Sequence, residues 1–160
     1  MTDQRQPAAD APIAALEWGV KQSFCNYVRM AGGSIETAAG AEAVEGGFRF
    51  PAAPGEGRFQ GEVRFDAHGG MLAVRLADPA VEIGPGRAVL SIADLSAGGR
   101  RVEIATLDLA AASTEADGAR LIPAALTLDG SFVLGDHYPP GTALDPLRLA
   151  PVRLAPDRAR

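Results

Sequence analysis

Few side chains in this sequence can do chemistry beyond packing, and they fall in three places. Tyr27, one of two tyrosines in the chain, follows Ser23 by four residues in the stretch EWGVKQSFCNYVRM. His68 sits in the glycine turn HGG, and His137 stands directly before Tyr138 in GDHYPPG. A phenolate oxygen is a hard anionic donor and suits ferric iron. Free tyrosine ionises only near pH 10, so that role needs a positive metal and a proton-accepting neighbour. A neutral imidazole is such a neighbour.

Each of these residues also has a plainer reading. Tyr27 alone is a core tyrosine whose hydroxyl finds a partner. Ser23 alone is a helix serine bonded back to a carbonyl one turn earlier. His68 alone is a turn residue beside Gly69 and Gly70. Other chemistry is poorly represented. The single cysteine, Cys25, permits no intramolecular disulfide and no cysteine-based metal cluster. There is no phosphate-binding glycine loop, no G-x-S-x-G elbow and no H-E-x-x-H. The acidic residues form no compelling pair, so the sequence favours a binding protein over an enzyme.

These residues need elements to hold them. A helix is expected from about Ile13 to Met30, with Ile13, Leu16, Val20, Phe24, Tyr27 and Val28 on one face at about 100° per residue. Ser23 falls at the edge of that stripe, whereas Gln22, Cys25, Asn26 and Arg29 face away and Trp18 lies near the back. Gly32-Gly33 ends the helix. Beyond it the apolar period changes to two. Phe48 and Phe50 alternate around Arg49, and Phe59, Gly61, Val63 and Phe65 alternate with polar residues. HGG reads as a hairpin that returns through Leu72, Val74 and Leu76. In RRVEIATLDL the face switches, which predicts a bulge or an all-buried stretch near Ala105-Thr106. LIPAALTLDGSFVL reads as a strand pair or a strand with a bend, followed by a proline-rich loop and a short last strand. The fold class is therefore mainly β: an antiparallel sandwich or a strongly curved sheet with one N-terminal α-helix. Residues 1–12 read as a flexible lead-in, 13–152 as one domain and 153–160 as a loose tail.

Composition narrows the partners. The chain has 160 residues, 19 glycines and 12 prolines, which suits one turn-rich β domain. Net charge is −5, and arginine supplies all but one of the 15 basic residues without clustering, which argues against nucleic acid. No run is long and apolar enough to span a membrane. The polar start MTDQRQPAADAP lacks the apolar core of a signal peptide, which favours the cytoplasm unless an export signal has been removed.

The sequence resembles the HtaA domain family, the haem-binding module of bacterial haem-uptake proteins. The likeness is carried by LEWGVKQSFCNYV, continues through RFQGEVRFDAHGGMLAVRLADPAVEI and IATLDL, and closes with YPPGTALDPLRL. It implies a largely β fold binding one ferric haem b. It assigns the axial ligand, and so the metal contact, to Tyr27. It also implies that His68 hydrogen-bonds that tyrosine, that Ser23 reaches a propionate and that Tyr138 lies near the haem. The family often has phenylalanine where this chain has His137, leaving His137 as a second ligand, a propionate contact or a surface residue. Phe24 belongs either to the core or to the porphyrin face. Familiar members are secreted or membrane-anchored, so other haem-transfer proteins are implied partners. The alternatives are a β-rich interaction module that no longer binds haem, and an enzyme acting on haem or another small hydrophobic molecule.

Overall fold

The computed structural model describes residues 12–94 and 98–152. The expected lead-in, apart from Pro12, and the expected tail lie outside these residues. Alternating apolar residues build the sheet. In β4 (Gly47–Pro51) Phe48 and Phe50 are buried around Arg49. In β5 (Glu62–Ala67) Val63, Phe65 and Ala67 are buried in the same way. The turn at His68–Gly70 then reverses the chain into β6 (Leu72–Gly84), where Leu72, Val74 and Leu76 face the core. β7 (Arg87–Asp94) and β8 (Arg100–Leu107) follow antiparallel. The expected bulge lies one residue early. Leu90 pairs with Ala105 and Ser91 with Glu103, so Ile104 is the extra residue, and both Ile104 and Ala105 are buried.

The remaining strands are β1 (Ile13–Trp18), β2 (Ser34–Ala38), β3 (Glu42–Val44), β9 (Ser113–Thr114), β10 (Arg120–Leu126) and β11 (Ala143–Pro151). They join one antiparallel sheet in the order β2-β5-β6-β7-β8-β10-β11-β1-β4-β3, with β9 beside β10. The sheet curls into a nearly closed, barrel-like shape. Its two end strands, β2 and β3, are consecutive in the chain and approach each other without pairing. Of the two expected architectures, the curved sheet is the one that forms. Its interior is filled by large side chains, including Leu16, Phe50, Phe65, Leu90 and Leu147, each 1% exposed or less.

The helix differs from the expectation. Residues Ile13–Trp18 form a central strand between β11 and β4, and only Gln22–Met30 is helical (α1). Leu16 and Trp18 point inward at strand spacing, while Glu17 pairs outside with Arg49 at 2.7 Å and Arg148 at 2.6 Å. The apolar spacing of Ile13, Leu16 and Val20 fits a helix as well as a strand, and the pairing partners that decide between them are far away in sequence. A second helix, α2 (Leu128–Val133), stands where a strand or bend was expected. Thr127 starts it, its side-chain oxygen accepting from Gly130 N at 2.9 Å. Gly130 lets α2 lie on β8, because a Cβ there would strike the Ile104 carbonyl.

Candidate functional site

The shortened helix changes which residues face the core. With β1 removed from the wheel, the buried stripe of α1 is Phe24, Cys25 and Val28. It is rotated toward Cys25, which was expected to face away and is instead 2% exposed. Burial pushes the Cys25 thiol pKa up, against the opposing effect of the Arg29 charge, so it has little thiolate character. The same rotation carries Tyr27 to the rim of the stripe, where it is 38% exposed, and leaves Ser23 on the surface.

Backbone geometry fixes α1 at both ends. Val20 is fully buried at φ 60°, a conformation that costs a β-branched residue about 1–3 kcal/mol. The Asp145 N–H to Val20 carbonyl bond, 2.9 Å, holds this corner and turns the chain from β1 into the helix. At the other end Gly33 N–H donates to the Val28 carbonyl at 2.9 Å. A Cβ on Gly33 would strike the Asp66 carbonyl, so this glycine lets the end of α1 close onto the end of β5.

That closure brings Tyr27 to His68. The Tyr27 hydroxyl lies 2.6 Å from His68 Nε2, with the rings 5.7 Å apart. His68 itself is left-handed, φ 55°, and is followed by left-handed Gly69 and Gly70, so the turn is tightly shaped. A second loop arrives from α2. Gly135 and Asp136 are both left-handed, and the Asp136 N–H returns to the Ser131 carbonyl at 2.9 Å. This places the His137 ring 5.0 Å from the Tyr27 ring and 6.2 Å from the Phe24 ring. Ser131 Oγ donates to the Tyr138 carbonyl at 2.5 Å, and the Tyr138 hydroxyl meets Ser23 Oγ at 2.8 Å.

The structure thus brings Ser23, Tyr27, His68, His137 and Tyr138 onto one surface patch. Phe24, 0% exposed, lies beneath the patch and packs 5.1 Å from Phe65, so it is the floor and not an exposed wall. The underside of α1 is filled, and Tyr27 is open on its solvent side. Sequence reasoning overlooked two contributors. One is α2, signalled by Thr127 as a helix cap with Asp129 in the first turn. The other is Lys21, whose ammonium donates to the Ala143 carbonyl at 2.8 Å and lies 5.3 Å from the Tyr138 ring centre. Trp18, expected to pack against the sheet or the C-terminal loop, donates from Nε1 to the Asp145 carbonyl at 2.7 Å.

The donor set limits what the patch can hold. Among the described residues no group of three histidine, cysteine or carboxylate side chains converges on a point. A bare ion would find one phenol and an imidazole already hydrogen-bonded to it. A phenol hydrogen-bonded to an imidazole is an oxygen donor of the kind that suits a metal whose other positions are already filled.

Comparison with known proteins bears on the family and the fold. The chain matches the HtaA family model, described as Htaa, over residues 13–150. Among curated proteins no sequence matches. The crystal structure of the C-terminal domain of HtaA from Corynebacterium glutamicum is 28% identical, covering 86% of this chain and 94% of that one, with a TM-score of 0.62. The N-terminal domain of HtaA from the same organism is 24% identical, covers 89% and 99%, and has a TM-score of 0.65. The heme binding protein HtaB from that organism is 21% identical, covers 86% and 91%, and has a TM-score of 0.64. The last two likenesses speak for the fold.

Proposed function

This chain belongs to the HtaA domain family, and from that membership we propose that it binds ferric haem b with the Tyr27 oxygen as the axial iron ligand. Haem supplies an iron already held by four porphyrin nitrogens and open at an axial position. The observation that carries the reading is the exposed Tyr27 hydroxyl bonded at 2.6 Å to His68 Nε2. His68 takes the phenol proton or, once that proton is gone, donates its own N–H to the phenolate. In both states it fixes the direction of the tyrosine oxygen. Ser23 and Tyr138 present adjacent hydroxyls for a propionate, His137 lines the flank of Tyr27, and Phe24 supports the patch from below. HtaB, which shares this fold, is a heme binding protein.

An anionic oxygen ligand favours ferric over ferrous iron, and a solvent-facing site lets the ligand leave without opening the barrel. These properties suit capture, transport and hand-off to another haem-binding protein more than catalysis. Titration of the purified chain with ferric haem, read by absorbance, tests the proposal. The wild type is expected to give a tyrosinate-type ferric spectrum and Tyr27→Ala to lose it. A Tyr27→Ala variant with unchanged spectrum and affinity would remove the ligand assignment.

One observation favours the interaction-module alternative. Leu128 and Phe132, one turn apart on α2, are each 59% exposed. That reading requires a Tyr27 packed away among side chains, and Tyr27 is 38% exposed. No haem uptake by the wild type would leave the module as the surviving reading.

A further inference from the structure

We propose that Lys21 is a specificity-determining residue of this site, selecting porphyrins with free carboxylates over those without them. The inference rests on the haem-binding reading above and adds to it a residue and a discrimination.

It follows from counting donors and acceptors at one corner of the patch. Lys21 is the only lysine in the chain. It stands just before α1 in extended backbone, φ −160° and ψ 122°, so its side chain leaves the helix toward the Tyr138 loop. Its ammonium spends one of three N–H donors on the Ala143 carbonyl, at 2.8 Å. Among the described residues it has no carboxylate partner. The nearby Asp145 carboxylate is engaged instead by Gln22, through Nε2 at 2.8 Å. Five arginines, by contrast, pair with carboxylates: Arg49, Arg64, Arg75, Arg87 and Arg148.

Beside the ammonium, 5.3 Å away, is the centre of the Tyr138 ring, and the Tyr138 and Ser23 hydroxyls form a bonded pair. They carry two protons between them, and their mutual 2.8 Å bond uses one. The corner therefore retains one hydroxyl proton and two ammonium protons with no carboxylate to receive them among the described residues, the ammonium having only the Tyr138 ring beside it. The positive end of α1 is already answered by Asp145, whose Oδ1 accepts from the Gln22 backbone N–H at 3.4 Å, so the unspent charge at this corner is that of Lys21. A carboxylate answers all of these donors at once, with charge-assisted bonds that a neutral ester cannot match. Ser23 lies one helical turn from Tyr27, about 6 Å along the axis, and Lys21 about 9 Å, so both are within the span of one amphipathic ligand.

The test measures affinity for ferric protoporphyrin IX and for its dimethyl ester, both added from the same dimethyl sulfoxide stock, to wild type, Lys21→Met and Lys21→Arg. Thermal melting confirms that each variant is folded. The expected result is that Lys21→Met weakens the free acid by about tenfold and leaves the ester unchanged, while Lys21→Arg keeps most of the preference. Equal weakening of both porphyrins by Lys21→Met would show that Lys21 only props Tyr138, and no weakening of either would remove it altogether. Both of those outcomes leave the haem reading intact. A wild type that takes up neither porphyrin overturns the haem reading and this proposal together.

Discussion

Tyr27 and His68 are held to each other by a single short bond between two separate segments, and nothing else in the patch duplicates it. On the proposed reading His68 is a positioning residue for the tyrosine oxygen. Second partners of metal ligands typically carry about 10–100-fold in affinity. His68→Ala is expected to weaken ferric haem binding by that order while leaving a tyrosine-ligated spectrum, and His68→Gln to recover part of the loss. A stopped-flow transfer assay to an apo-globin reads the change directly. The pairing itself was accessible from the sequence only through the family resemblance, because a hydrogen bond across 41 residues leaves no trace in local spacing. His137 shows the same limit. Its neighbour Tyr138 was a candidate from the same motif, but its packing against Tyr27 depends on left-handed Gly135 and Asp136, of which only the glycine is a sequence signal.

The elements that carry these residues were read unevenly. Strands with clean alternation, β4 to β6, came directly from the apolar period, as did the HGG turn and the bulge in β8. The first strand did not, because six residues with apolar spacing acceptable to either structure were joined to a true helix, and the Gly19-Val20 corner between them was missed. That error also turned the helix the wrong way, hiding Cys25's burial and overstating Tyr27's. α2 was lost to its β-like neighbours, although its cap was visible. Thr127 bonds Gly130 N at 2.9 Å and the Glu103 carbonyl at 2.7 Å, so it ties α2 to β8. Thr127→Ala is expected to cost about 1 kcal/mol in chemical denaturation. Because α2 delivers His137 and Tyr138, the same variant should also weaken haem binding several-fold, though Thr127 touches none of the site. Unaltered haem affinity in a measurably destabilised variant would show that the loop is held by its other bonds alone.

At the scale of the whole molecule, the curved sheet is laced on its outside by charge. Arg148 of β11 reaches Glu17 on β1 and also Glu115 and Asp117 on the turn before β10. These bonds hold its guanidinium pKa above the ordinary value, chiefly through Glu115. Arg87 has one exposed partner, Glu103, across the β7–β8 pair. Networks bind more firmly than isolated surface pairs, so Arg148→Ala should melt at a clearly lower temperature than Arg87→Ala. Equal melting temperatures would mean that the network adds nothing to sheet closure. Alternating charged residues suggested outward faces in the sequence, but which strands they stitch depends on the long-range order of the sheet.

The sheet ends at β2 and β3, which meet without a ladder between them. No ladder joins β2 to β3 at this seam, the ring being bridged beside it, among the described residues, only by the short pairs Ala52–Phe59 and Arg58–Ala80, and β2 lies against α1 as well as β5. Breathing at the seam is therefore transmitted to the helix that bears Tyr27, while the His68 turn is held between β5 and β6 and the His137 loop follows α2. A ligand spanning the helix and those loops acts as a clasp on a split ring. In amide hydrogen exchange, β2 should be among the least protected strands of the free protein and should gain more protection on ferric haem binding than β10, far from the seam. Equal gains in both strands would mean that the ring is already rigid, and that hand-off is governed at the tyrosine alone.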